Sequence, residues 1–184
     1  MVLASIPCGM MRDLLSLDFS RISNFSLIGV DVDLESISLA RNLAKEYGLE
    51  RCCRFLQQDA WTLGLDSEID LITSNGLNVY ISDKNKVLDL YKLFYKSLKK
   101  DGVLIVGVLT YPPGGDQSCE WLIDKLPPDD MLLEKILFGD ILESKWRNFS
   151  SSAEIYQDFS IAGFSSVEVI FDRYHIFPTV IARK

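Results

Sequence analysis

The sequence has 184 residues, 48% apolar and 11% aromatic, with 26 acidic against 19 basic residues and a formal net charge of −7. That apolar share is enough for a sizeable core and excludes wholesale disorder. The acidic balance argues against a protein that coats nucleic acid, because phosphate binding needs concentrated Lys and Arg. In chain order, residues 2–6 predict a buried strand, broken by Pro7-Cys8-Gly9. Residues 11–17 predict a short helix with Met11, Leu14 and Leu15 on one face. Residues 25–32 predict a second strand. Residues 34–47 then predict a helix with the stripe Ile37, Ala40, Ala44 and Tyr47, capped by Asp33 and stopped by Gly48. Strands follow at 53–57 and 69–74, the second ending at Asn75-Gly76. Asp83 is placed to cap a helix reaching about residue 99, with Lys99 and Lys100 at its negative end. The chain closes with a strand at 103–109, a Pro/Gly loop at 111–115, helices at 130–145 and 152–162, and strands at 167–171 and 176–182.

Strands alternating with helices predict an α/β protein, a three-layer sandwich around a mostly parallel sheet covered on both faces. The short connection at 172–175 suits a hairpin, so one antiparallel strand is expected at or near an edge. No repeat, low-complexity tract or linker divides the chain, and residues 1–184 read as a single domain. Cys8, Cys52, Cys53 and Cys119 form no C-x-x-C pair, and His175 is the only histidine. That argues against a zinc site and for reduced thiols in a cytoplasmic protein. No apolar run reaches the ~20 residues of a membrane span. Residues 1–7 lack the basic start and long apolar stretch of a signal peptide.

In such sheets ligands bind beyond the carboxyl ends of the strands, at the topological switch point. Gly9, after the first strand, lets a ligand approach the backbone. The offset from Gly9 to Asp31 is close to the ~20 residues separating a glycine turn from a ribose-binding acid. A carboxylate at Asp31 can accept from both ribose hydroxyls. Asp59, followed by Ala60 and Trp61, puts a carboxylate beside an apolar wall and suits an adenine. Ser74, Asn75, Gly76 and Leu77 would lie beneath the reactive end of a cofactor.

These pieces together resemble the class I S-adenosylmethionine-dependent methyltransferases. The matching stretches are Val2-Leu3-Ala4-Ser5-Ile6-Pro7-Cys8-Gly9, Ile28-Gly29-Val30-Asp31-Val32-Asp33, Leu56-Gln57-Gln58-Asp59-Ala60-Trp61, Asp70-Leu71-Ile72-Thr73-Ser74-Asn75-Gly76 and Leu98-Lys99-Lys100-Asp101-Gly102-Val103-Leu104. They occur in the family's order and cover nearly the whole chain. Ser5-Ile6-Pro7-Cys8-Gly9, Ser74-Asn75-Gly76-Leu77-Asn78 and the ending from Phe177 to Lys184 also look like a bacterial subgroup known only by that general activity. The resemblance implies a Rossmann-like fold with seven strands, six parallel and one antiparallel. It implies S-adenosylmethionine as cofactor, with S-adenosylhomocysteine as product. Pro7, Cys8 and Gly9 would then face the methionine part, Asp31 and Val32 the ribose, and Asp59, Ala60 and Trp61 the adenine. Ser74 and Asn75 would lie near the transferred methyl, with Asn78, Tyr80 and Tyr111 on the acceptor side.

The family's first strand ends in an acid followed by G-x-G-x-G. Here Ser5 replaces the acid, Pro7 the first glycine and Met11 the third, and Pro7 removes a backbone donor. Two outcomes stay open: weaker cofactor binding, or compensation by other groups. The match also starts the sheet almost at Met1, without the helix that usually precedes it. The expectation is a minimal domain or the carboxyl-terminal part of a longer one, with an exposed apolar surface or an open pocket.

Each residue also has a plainer reading. Asp31 could cap the next helix, but Asp33 is better placed for that. Cys8 beside a helix start could have a lowered pKa, yet a structural thiol is the simpler reading. His175 belongs to the closing hairpin and reads as structural. Trp121, Trp146, Tyr111 and Tyr156 read first as aromatic packing. The main expectation is methyl transfer to a small-molecule or protein acceptor, which mainly needs alignment of nucleophile, methyl and sulfur. The acceptor would be selected by the loops after Gly76 and Thr110 and by residues 116–148. The rivals are a non-catalytic binding or scaffold domain, and a nucleotide-dependent oxidoreductase, which the missing G-x-G-x-x-G opposes.

Overall fold

The computed structural model describes residues 1–115 and 117–184; Asp116, the first residue of the stretch expected to select the acceptor, lies outside the described residues. Seven strands form one sheet: β1 (Val2–Ser5), β2 (Ser26–Asp31), β3 (Cys53–Gln57), β4 (Ile69–Ser74), β5 (Leu98–Gly107), β6 (Ser166–Ile170) and β7 (Thr179–Arg183). Their spatial order is β3-β2-β1-β4-β5-β7-β6. β1 to β5 pair in parallel, and β7 runs antiparallel to both of its neighbours, β5 and β6. The sheet is therefore the mixed, mostly parallel one expected. The strand order reverses direction at β1 and β4, which opens a crevice at their carboxyl ends.

Side-chain alternation explains the two helical layers. Leu3 and Leu27 project to one face and meet Leu14 and Leu15 of α1 (Arg12–Leu15) and Ile37, Ala40 and Ala44 of α2 (Leu34–Glu46). Ala4 and Ile28, one residue on, project to the other face. There they join Val87, Leu90 and Phe94 of α3 (Lys84–Ser97) and Ile155 and Phe159 of α5 (Ser152–Ala162). Phe159 stacks on Tyr91 with centroids 4.5 Å apart, tying α5 to α3.

Local chemistry sets the helix ends. Asp33 accepts from the Glu35 and Ser36 amides and starts α2. Asp83 does the same for α3 through Asn85 and Lys86. Ser151 and Glu154 form a reciprocal capping box on α5, and Gly163 ends it at φ 109°.

Three expectations need correction. α3 stops at Ser97, because Leu98 already pairs with Ile69 in the sheet. Lys99 is therefore a strand residue, and its ammonium pairs with Asp70 at 2.7 Å instead of serving the helix end. Burial pushes the Asp70 carboxyl up, but bonds from Lys99 and the Val2 amide outweigh it and hold the group below its usual range. The helix expected at 130–145 is shorter and irregular. α4 (Pro128–Glu134) starts on a proline, which loses nothing in a first turn. It widens into a π-helical stretch, Lys135–Ile141. The last strand begins at Thr179, three residues late, because Pro178 cannot donate to a ladder. Among the described residues, no helix is long and apolar enough to cross a membrane.

Candidate functional site

The crevice at the ends of β1 and β4 holds adjoining cavities built on the predicted residues. The first, about 200 Å³, is lined by Pro7, Val30, Asp31, Val32, Gln58, Asp59, Ala60, Trp61 and Leu77. Asp59 starts a 3₁₀ turn over Ala60–Thr62, one carboxylate oxygen accepting from the Trp61 amide at 2.9 Å. That fixes the turn and leaves its second oxygen for a donor from the cavity. The Trp61 indole donates to the Lys86 carbonyl at 3.0 Å, and the Lys86 ammonium lies 4.6 Å from the ring centroid. The ring is thereby held against α3 as a flat wall. Leu77 provides an opposing apolar contact.

Asp31 stands at the junction with the second cavity. Its side chain is nearly buried, and each oxygen takes a backbone donor: Gly9 N–H at 2.9 Å and Asp33 N–H at 3.0 Å. The residue thus braces the Gly9 turn against the start of α2 while keeping acceptor capacity. Gly9 has φ 48°, and a side chain there would meet nothing within 4 Å, so the space over its backbone is open. Gly29 is needed for a different reason: a Cβ would stand 2.8 Å from the Phe55 ring and 3.2 Å from the Cys8 sulfur. Cys8 is buried, and its thiol is pushed up to about 12 by burial and by the charges of Asp31 and Asp13. Of the two readings of Cys8, this favours the structural thiol, because desolvation and two carboxylates oppose its ionisation.

The second cavity, about 360 Å³, is lined by Ser5, Pro7, Cys8, Gly9, Met10, Met11, Arg12, Asp13, Asp31 and Asn75. The sequence reading missed Arg12 and Asp13. Their only sequence signal is a pair of opposite charges directly after the glycine turn. Ser74 is buried, and its hydroxyl has no hydrogen-bond partner among the described residues.

Asn75 also lines a third cavity, about 250 Å³, with Gly76, Val79, Tyr80, Gly107, Val108, Trp146, Phe177 and Thr179. Trp146 continues into a fourth, about 270 Å³, shared with Trp121, Leu126, Met131 and Phe138. Tyr80 thus faces the predicted acceptor side. The structure places the other two acceptor candidates elsewhere. Asn78 is buried, its amide donating to the Gly107 carbonyl at 3.0 Å and the Tyr91 hydroxyl at 3.2 Å. Tyr111 joins Lys84 and Glu154 in a polar cluster that ties α3 to α5. His175 stacks on Phe171 at 4.2 Å in the hairpin, away from these cavities. Among the described residues, no three His, Cys, Asp or Glu side chains converge as a metal site would require.

Residues 7–154 match the sequence family described as a methyltransferase domain. The chain belongs to that family. With this sheet order it is a class I methyltransferase domain. Over 134 residues the domain is 25% identical to a protein of Bacillus subtilis (strain 168) named "Putative methyltransferase YqeM", covering 71% of this chain and 48% of that one. A Bordetella parapertussis structure, described as that of a possible exported protein, superimposes with a TM-score of 0.93 and 37% identity, over 100% of this chain and 61% of that one. An O-methyltransferase family 2 protein of Planctomyces limnophilus DSM 3776, solved in complex with apigenin, shares the fold at a TM-score of 0.69 and 16% identity, over 100% and 50% of the two chains. The methyltransferase domain spans about half the length of the curated relative it matches.

Proposed function

We propose that the chain binds S-adenosylmethionine across the carboxyl ends of β1 to β4 and methylates a small-molecule acceptor. The observation that carries this reading is the adjacency of the cavities along the strand ends: the first and second share Pro7 and Asp31, and the second and third share Asn75. The residues present fit the cofactor. Val32, Ala60, Trp61 and Leu77 offer apolar walls to an adenine, with Asp59 as acceptor for its amino group. Asp31 has lone pairs left for ribose hydroxyls. The open space above Gly9 admits a ligand against the backbone, and Ser74 brings an unsatisfied buried hydroxyl to the end of β4.

When bound, S-adenosylmethionine supplies an electrophilic methyl on a sulfonium. The chain's own contribution is positioning: Asp31 fixes the Gly9 turn, and Asn75 stands where the second and third cavities meet. Val79, Trp146 and Phe177 give the acceptor side apolar walls. Tyr80 presents a hydroxyl there that can orient an acceptor. A concave, aromatic-lined acceptor side suits a small apolar molecule better than a polypeptide. We further read residues 1–184 as one domain of a cytoplasmic protein; four free cysteines fit a reducing compartment.

The test is isothermal titration of the intact protein. S-adenosylmethionine and S-adenosylhomocysteine are expected to bind at one site per chain, and NAD(P) not to compete. Failure of both sulfur ligands to bind would leave the non-catalytic reading in its place.

A further inference from the structure

We infer that Asp13 stands in for the acid missing from the end of β1, and that Arg12 and Asp13 together hold the amino-acid end of the cofactor. The inference rests on the cofactor reading above. Ser5 occupies the strand-end position, and a hydroxyl cannot balance an ammonium charge. The Ser5 hydroxyl instead donates to Asp13 Oδ2 at 2.8 Å. Thr73, the register partner of Ser5 on β4, donates to the same oxygen. One carboxylate oxygen is thereby clamped across the ends of β1 and β4, at the switch point. Among the described residues nothing donates to the other oxygen, Oδ1. A carboxylate offers about four acceptor sites, so capacity remains for an ammonium group.

The same local fold explains both the lost glycine and the relocated acid. Met11, in place of the third glycine, adopts φ 58° and is fully buried. Its amide bonds back to the Cys8 carbonyl at 2.6 Å, and its side chain packs with Leu14 and Leu15. This anchored turn brings the first residues of α1 back over the end of β1, which is how Asp13 reaches Ser5. A glycine at 11 would supply the backbone freedom but not the anchor. Asp31, the other carboxylate of this cavity, already holds the Gly9 and Asp33 amides.

Arg12 lines the same cavity and forms no ion pair among the described residues. A free guanidinium next to a half-engaged carboxylate mirrors the charges of an amino-acid zwitterion. The guanidinium suits bidentate pairing with a carboxylate.

The experiment compares S-adenosylhomocysteine with 5′-methylthioadenosine, which keeps the adenosine and sulfur but lacks the amino-acid end. Titration calorimetry is run on the intact protein and on Asp13→Asn, which keeps an oxygen for Ser5 and Thr73, with thermal melts to check the fold. Asp13→Asn is expected to weaken S-adenosylhomocysteine by about tenfold or more while changing 5′-methylthioadenosine by no more than about twofold. Arg12→Gln is expected to show the same selectivity. Equal weakening of both ligands, or of neither, overturns the inference and leaves the cofactor reading standing. A wild-type protein that binds only 5′-methylthioadenosine overturns the inference and counts against the cofactor reading as well, which requires S-adenosylhomocysteine to bind. A wild-type protein that binds neither ligand overturns both.

Discussion

The ends of β1 to β4 and the stretch between β5 and α5 are built in opposite ways. In the first region backbone amides find partners on the ends of neighbouring strands. Cys8 N–H meets the Val30 carbonyl, Gly9 N–H meets Asp31, and Gln58 N–H meets the Asp31 carbonyl. In the second, α4 and its π-helical extension carry no buried residue. Met131, Leu132, Leu133, Ile136, Leu137 and Ile141 are all exposed there. Aromatic contacts tie that stretch to the segment leading into β7: Phe138 lies 5.1 Å from Trp146, and Trp146 lies 5.4 Å from Phe177. The contrast separates a pre-formed region at the strand ends from a region with few buried contacts, the kind that opens locally at low cost. Under the proposed function, such a division lets one frame serve different acceptors by changing a single stretch of chain.

Substitutions can break that comparison. Met11→Ala removes a fully buried side chain from the anchored turn and is expected to destabilise the protein by about 2–5 kcal/mol in a denaturant titration. A small effect would mean that the turn is not anchored by its side chain. Asp31→Ala leaves the Gly9 and Asp33 amides without their acceptor, each at a cost of about 1–3 kcal/mol unless water replaces it. A lowered melting temperature should therefore accompany the loss of cofactor affinity. An unchanged melting temperature would show that Asp31 serves the ligand alone. Leu133→Gln, at a residue 63% exposed, is expected to shift stability by no more than about 0.5 kcal/mol. A larger shift would show that this stretch is covered in solution and would remove the contrast.

How much of this was legible in the sequence depends on the range of the interaction. β2, α2, β3 and α5 follow from apolar runs and stripes bounded by their own caps and stops, such as Asp33, Gly48 and Gly163. Local chemistry decides them. Lys99 was misread because its partner, Asp70, lies on a neighbouring strand. Asn78 was read as a site residue because it follows β4, but the turn after Gly76 points it inward to Gly107 and Tyr91. That the carboxylates Asp31 and Asp59 stand at the ends of strands was legible from spacing. That Asp31 also braces Gly9, and that Asp13 returns over Ser5, depend on a left-handed turn at a methionine, which no periodicity announces.

The placement of β7 has a consequence for how the protein is made. Thr179–Arg183 lies between β5 and β6, so a strand made after both of its neighbours fills an interior slot of the sheet. β1 to β4, with the Gly9 turn and Asp31, are complete in sequence long before that. That part of the sheet can therefore assemble while the chain is still growing, with β5 presenting an open edge until β7 is made. Sheet closure must wait for a long-range pairing, the slow kind of contact in folding. On the ribosome, the Gly9 turn and the closed sheet belong to different moments.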